Sequence, residues 1–319
     1  MQSSSFRSTL QTYLLILLRK MVMRCDPMKV QEVEDEIFHS ANVRLLVLRA
    51  DLIHPIISGN KWWKLKYNLE EAKRQGKKTL LTFGGAFSNH ILAVACAGKE
   101  NSFDTIGIIR GEEHIPLNPV LQYASDAGMK LIYIDRLAYR QKSDLHFLAE
   151  LEKKFGDFYL LPEGGSNELA VKGCAEMLED VNVDFDHLCC CCGTGATLAG
   201  LALSLKKEQK TFGFSVLKGA SFLDDEVSHL MRSVDPGADI SGVKIMHDYH
   251  FGGYAKSTRV LLNFIHDFEK KTDLPVEPVY TGKMFYGIFD LVGKNFFAPG
   301  STILAVHTGG VSTIINYKL

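Results

Sequence analysis

From about residue 42 the sequence alternates short β-branched or otherwise apolar runs with longer amphipathic stretches. This alternation limits the fold more than any single motif does. The candidate strands cover 43–48, 79–83, 105–110, 131–135, 158–161, 187–192, 211–217, 243–247 and 302–307. Between them the spacing predicts helices over 64–75, 88–98, 143–154, 167–180, 197–206, 256–271 and 283–294. Parallel strands need a helical crossover and are buried on both faces, so the pattern specifies an α/β protein with parallel sheets. No internal repeat, low-complexity tract or long Pro/Ser linker interrupts it. A chain of 319 residues accommodates about two domains, which here share chain crossings.

Lys+Arg 36 against Asp+Glu 37 leaves a net charge of −1, so no positive field attracts a polyanion, which argues against nucleic acid as a partner. Seven cysteines, four of them contiguous from Cys189 to Cys192, cannot supply a conventional disulfide framework; a reducing cytoplasm is expected. Adjacent cysteines on a strand point to alternate faces, and no CxxC or histidine spacing completes a tetrahedral site. The run therefore reads as a core strand, with no metal. The apolar stretch Tyr13–Leu18, closed by Arg19 and Lys20, is far short of the ~20 residues of a membrane span, and no small-x-small cleavage site follows it. Residues 1–27 read as a peripheral leader, and no membrane partner is expected.

In parallel-sheet folds ligands bind where loops leave the carboxyl ends of strands and meet helix N-termini. Four glycine-rich or polar breaks fall at such places: 84–90, 163–167, 193–197 and 307–310. The loop Gly193-Thr-Gly-Ala-Thr197 follows an apolar strand and opens a helix, so its backbone N–H groups and two hydroxyls suit one phosphate. It lacks the Walker and dinucleotide signatures, and a plain strand–helix turn remains the competing reading. Lys61, in Ser58-Gly-Asn-Lys-Trp-Trp-Lys-Leu65, stands at a glycine-marked break leading into a candidate helix. A lysine there can become a nucleophile if burial lowers its pKa, although most lysines are solvated surface groups.

Five segments occur in one order: Gly-Asn-Lys-x-x-Lys-Leu at 59–65, Gly-Gly-x-x-Ser-Asn-His at 84–90, the 193–197 loop, Pro-Val-Tyr-Thr-Gly-Lys at 278–283, and His-Thr-Gly-Gly at 307–310. Together they resemble the pyridoxal-phosphate (PLP) enzymes of the 1-aminocyclopropane-1-carboxylate (ACC) deaminase and D-cysteine desulfhydrase family, from about Val43 to Gly310. The resemblance implies a tryptophan-synthase-β-like fold of two open twisted parallel-sheet domains with PLP in the cleft. It implies a large domain of residues 1–64 and 161–319, a small domain of 65–160, a homodimer, and a small amino acid as substrate. Lys61 matches the lysine that holds PLP and moves the substrate proton, and Asn89 the residue bonding its 3′-oxygen. Gly193, Thr194, Gly195, Ala196 and Thr197 match the phosphate cradle. Ser88, Asn89 and His90 match the segment receiving the substrate carboxylate, and Ser88, Tyr280 and Tyr254 match active-site side chains.

By the same likeness, the ACC deaminases carry a glutamate after the motif tyrosine, where this chain has Thr281, and the desulfhydrases place a threonine, here Thr308, at the pyridine nitrogen. A neutral hydroxyl supplies no negative charge to keep that nitrogen protonated, which favours prompt β-elimination. His90 is desulfhydrase-like as well. The implied reaction is conversion of D-cysteine to pyruvate, sulfide and ammonia, with opening of the ACC ring as the alternative. A non-catalytic PLP- or mononucleotide-binding protein is the alternative of another class. The chain departs from the pattern at Phe87, expected beside the substrate, at Trp63, and at Ala170.

Overall fold

The computed structural model describes residues 28–311, so the leader expected over 1–27 lies outside the described residues. Among the described residues there are ten strands: β1 (Val30–Val33), β2 (Arg44–Leu48), β3 (Thr79–Gly85), β4 (Asp104–Arg110), β5 (Met129–Ile134), β6 (Tyr159–Leu161), β7 (His187–Cys192), β8 (Lys210–Ser215), β9 (Val243–Met246) and β10 (Thr302–Val306). The α-helices are α1 (Glu36–Ala41), α2 (Asn60–Arg74), α3 (Asn89–Asn101), α4 (Pro119–Asp126), α5 (Arg136–Tyr139), α6 (Leu145–Phe155), α7 (Glu168–Ala175), α8 (Ala196–Leu203), α9 (Phe222–Val234), α10 (Arg259–Thr272) and α11 (Thr281–Gly293).

The strands form two sheets, as the alternation specified. One has six strands in the order β1-β2-β10-β7-β8-β9, and the other four in the order β5-β4-β3-β6. Every pairing is parallel except β1 with β2. The cysteine run lies on β7 with all four side chains buried. Cys190 and Cys192 pack into one core cluster while Cys189 and Cys191 pack into another on the opposite face, the period-2 alternation of a strand.

Helix α7 packs tightly against both neighbours at glycines. A Cβ on Gly173 would lie 2.1 Å from the Trp63 carbonyl oxygen on α2, and one on Gly200 of α8 would lie 2.5 Å from the Val171 oxygen. Trp63 is buried, its ring edge-on to Trp62, and Ala170 is fully buried, so both departures from the family pattern sit in the core. Among the described residues, no helix is long and apolar enough to cross a membrane.

Candidate active site

The carboxyl ends of both sheets face one cavity of about 280 Å³. Its wall contains Gly85 at the end of β3, Ser88, Asn89 and His90 beyond it, Arg110 at the end of β4, Glu163 and Gly164 beyond β6, and Gly193, Thr194, Gly195 and Thr197 beyond β7. Leu217 beyond β8, Thr308 and Gly309 beyond β10, Tyr254 and Tyr280 also line it, with Asn60, Lys61 and Lys64 on α2. All the residues expected to act from the sequence, apart from Ala196, line this one cavity, and Ala196 is buried within the same loop.

Helix α2 begins at Asn60, four residues earlier than the apolar spacing predicts, because its N-cap is Gly59 at φ +64° with no side-chain cap to mark it. Lys61 therefore sits in the first helical turn. Its Nζ donates to Asn60 Oδ1 at 2.7 Å, and Asn60 Nδ2 donates to Thr197 Oγ1 at 2.8 Å, which ties the lysine to the 193–197 loop. Burial, and then repulsion from Lys64, lower the Lys61 pKa to about 7. Lys64, one turn further along the same face, donates to the Gly164 carbonyl at 3.0 Å and Thr194 Oγ1 at 3.3 Å. Two lysine side chains thus flank a loop that has no acidic residue.

That loop opens α8. Its N-cap, Gly195, lies at φ +84°, a conformation glycine adopts without strain, and no side chain caps the helix. The Thr194 and Thr197 hydroxyls and the positive end of the helix dipole therefore converge on an uncommitted anion site. Ser166 Oγ fixes the loop from the other side by donating to the Thr194 carbonyl at 2.8 Å. Across the cavity Ser88 caps α3, accepting the Ile91 N–H at 3.3 Å, so a second helix start, carrying Asn89 and His90, faces the same space. His90 is buried with Nε2 2.8 Å from Thr82 Oγ1, and burial holds its pKa well below the ordinary value, leaving the ring neutral.

The third side is aromatic and neutral. The Tyr254 and Tyr280 rings meet edge to face at 6.0 Å with their hydroxyls hydrogen-bonded, and burial raises both pKa values, keeping the phenols protonated. Tyr280 is held by Glu277, a buried carboxylate that accepts the N–H groups of Val279, Tyr280 and Thr281 at 2.6–2.8 Å. Lys283 Nζ donates to the Gly253 carbonyl at 2.8 Å and so pins the loop bearing Tyr254. Thr308 Oγ1 lies 2.9 Å from Cys191 Sγ on the cavity wall.

The sequence profile described as pyridoxal-phosphate dependent enzyme matches residues 34–309. The chain belongs to this enzyme family. A Pyrococcus furiosus relative, named only provisionally as a 1-aminocyclopropane-1-carboxylate deaminase, is 31% identical over 293 residues, 86% of this chain and 86% of its own. A mitochondrial Arabidopsis thaliana enzyme, named bifunctional D-cysteine desulfhydrase/1-aminocyclopropane-1-carboxylate deaminase, is 29% identical over 84% of this chain and 72% of its own. A solved structure described as an ACC deaminase homologue superposes with a TM-score of 0.78 at 26% identity, covering 93% of this chain and 95% of that one.

The residues of this PLP-dependent enzyme fit the cofactor. The uncapped α8 start with its two threonines and Lys64 suits a phosphate, and Lys61 combines burial with a near-neutral pKa, as covalent capture of an aldehyde requires. At Gly193 a side chain would press to 3.1 Å of the Tyr280 ring, so only a glycine keeps this wall of the cavity clear.

Glu163 and Gly164 belong to the expected 163–167 break, but several wall residues were not expected from the sequence: Asn60, Lys64, Arg110, Cys191 and Leu217. Lys64 stood inside the quoted Lys-x-x-Lys motif, and Arg110 ends a predicted strand on the ligand-binding side. Conversely Phe87, expected beside the substrate, is 62% exposed and does not line the cavity. Its place in the turn between β3 and Ser88 directs it outward. Away from the cavity, His54, Cys96 and Glu100 bring ligand-type atoms within 4.8 Å of one another. His54 Nδ1, however, accepts the N–H groups of Ile56 and Ile57, so Nε2 carries the ring proton, aimed at Glu100, and keeps no lone pair for a cation.

Proposed function

We propose that this enzyme deaminates a small amino acid by α,β-elimination, with D-cysteine and water giving pyruvate, sulfide and ammonia. One observation carries the reading: Lys61, with a pKa of about 7, stands between an anion-binding helix start and a second helix start suited to a carboxylate. When bound, PLP supplies the electron sink that stabilises charge left at Cα. The 193–197 loop and Lys64 hold the phosphate, and Asn89 orients the ring. The N–H groups at the start of α3, with Ser88, fix the substrate carboxylate so that its α-proton faces Lys61. The neutral Lys61 amine takes that proton. Tyr280 and Tyr254, protonated at neutral pH, offer a proton to the departing sulfur. Thr308 and its neighbour Cys191 carry no formal carboxylate, and Glu277 is occupied with backbone N–H groups, which supports elimination over chemistry that needs a long-lived carbanion.

The second reading, opening of the ACC ring to 2-oxobutanoate, is favoured by the Tyr254–Tyr280 hydroxyl pair, because that substrate has no α-proton for Lys61 and needs acid or nucleophilic help at the ring. The assay that separates the two offers D-cysteine, L-cysteine and ACC to the PLP-loaded protein. Sulfide from D-cysteine is the expected result, while 2-oxobutanoate from ACC with no sulfide overturns it in favour of the second reading.

Attachment of the cofactor needs the neutral Lys61 amine. The rate of covalent capture, followed by absorbance on mixing apoprotein with PLP, is expected to rise through about pH 7 and level off above about pH 8. An ordinary lysine, with roughly 1 amine in 3,000 neutral at pH 7, would keep accelerating toward pH 10. Continued acceleration past pH 9 would contradict the lowered pKa.

Residues 65–160 are read as a small domain within a large one of 1–64 and 161–319, a division supported by the separate four-stranded sheet. A cytoplasmic homodimer is the accompanying expectation. Among the described residues the six cysteines are free, as a reducing compartment requires.

A further inference from the structure

Arg110 is the last residue of β4 and lines the cavity, exposed, beside Gly85. Its Nη2 lies 3.4 Å from where a Gly85 Cβ would stand, so the absence of a side chain there leaves room for the guanidinium. The guanidinium rests over the Tyr139 ring at 5.4 Å, and that ring is fixed in turn by a 2.8 Å hydrogen bond from its hydroxyl to Glu163. Glu163 is also paired with Lys142 at 3.3 Å. The guanidinium itself has no hydrogen-bond or ion-pair partner among the described residues, and it is close enough to Tyr254 to favour that tyrosine's ionised form. A fork of five N–H donors is therefore oriented by an aromatic platform and left without a protein hydrogen-bond partner among the described residues, in the wall that holds the two tyrosines.

Resting on the lyase reading above, in which the phosphate and the substrate carboxylate occupy the two helix starts, we infer that Arg110 receives an anionic β-substituent of the substrate. The enzyme would then accept β-substituted alanines whose leaving group is an oxyanion, such as a phosphate ester. For O-phosphoserine the step takes the α-proton to Lys61 and breaks the Cβ–O bond, with the electron pair leaving on phosphate. Addition of water and loss of ammonia then give pyruvate, so one O-phosphoserine and one water yield one each of pyruvate, ammonia and phosphate. Arg110 would pair with the group that departs, where Lys61 and the α3 start hold the part that remains.

The test compares O-phosphoserine and β-chloroalanine, both enantiomers of each, with the wild-type holoenzyme and Arg110→Met, and measures binding of O-phosphoserine and serine by calorimetry. Wild type is expected to turn over both substrates. Arg110→Met is expected to lose about 10- to 100-fold in kcat/KM with O-phosphoserine, the scale of a charge-assisted pair, and less than about threefold with β-chloroalanine. Arg110→Lys, which keeps the charge but not the fork, should fall between. An equal loss on both substrates would assign Arg110 to a group they share and overturn the inference. So would β-chloroalanine turnover without O-phosphoserine turnover, in which case the lyase reading survives alone. If neither is turned over, the lyase reading fails. Tighter binding of O-phosphoserine than of serine, lost in Arg110→Met, would still support the anion site, and equal binding would remove it.

Discussion

Lys61→Ala is expected to leave no cofactor fixed to the protein after borohydride reduction and to lower turnover by at least roughly 10²–10⁴-fold, the scale of one positioned proton-transfer group. Lys64, the only other lysine lining the cavity among the described residues, cannot take over. It is one turn away on the same helix face but is drawn toward the anion loop by its bonds to Gly164 and Thr194. Peptide mapping of the reduced protein decides the matter, because a label recovered on residue 64 would reassign the attachment. Lys64→Ala is the companion variant. It should keep a reducible bond at Lys61 but weaken cofactor affinity by about tenfold or more, since it removes a charged donor from the phosphate side.

Gly59→Ala is expected to destabilise the protein by about 3 kcal/mol or more and to abolish tight cofactor binding. Gly59 lies at φ +64°, and a Cβ there would stand 1.9 Å from the Thr308 carbonyl oxygen and 2.1 Å from its carbon. Both clashing atoms are backbone, so relief requires moving either the start of α2, with Lys61 on it, or the segment that carries Thr308. Gly76→Ala is the control, because Gly76 has a similar φ of +70° with nothing within 4 Å of the added carbon. It should cost only the conformational strain, about 1 kcal/mol. Thermal unfolding of the two variants side by side isolates the clash. Equal midpoints would mean that the close approach of Gly59 to Thr308 is not what holds the site in shape.

The strands of the sheet centres were legible because burial on both faces makes them continuous apolar runs; His187–Cys192 matches the expected span at both ends. β1 was not, since this antiparallel edge strand carries Gln31 and Glu32 and shows no apolar run. β3 runs on through Gly84 and Gly85, which pair with Ile109 and Arg110, whereas the glycines alone read as a break. Helix α4 was passed over although Asn118 and Pro119 form a legible start, with Asn118 Oδ1 accepting the N–H groups of Val120 and Leu121. In the site, the residues that face the cavity from glycine-marked loops were found. Those reaching it from an ordinary strand end or helix face, Arg110 and Asn60, were not, because nothing in their local sequence distinguishes them from surface or cap residues. Phe87 shows the converse limit: adjacency in sequence to Ser88 does not fix the direction of a side chain in a turn.

The position of β10 has a consequence for how the protein comes into being. The last strand among the described residues is inserted between β2 and β7, near the middle of the six-stranded sheet. Until it arrives, β2 and β7 each present an unpaired edge, the kind of edge that recruits other chains. Thr308 and Gly309 follow directly after it, so the pocket is assembled only when this closure is complete. Such distant pairing raises contact order and slows folding. Cofactor capture is therefore expected to report the pairing of β10 with its two neighbours.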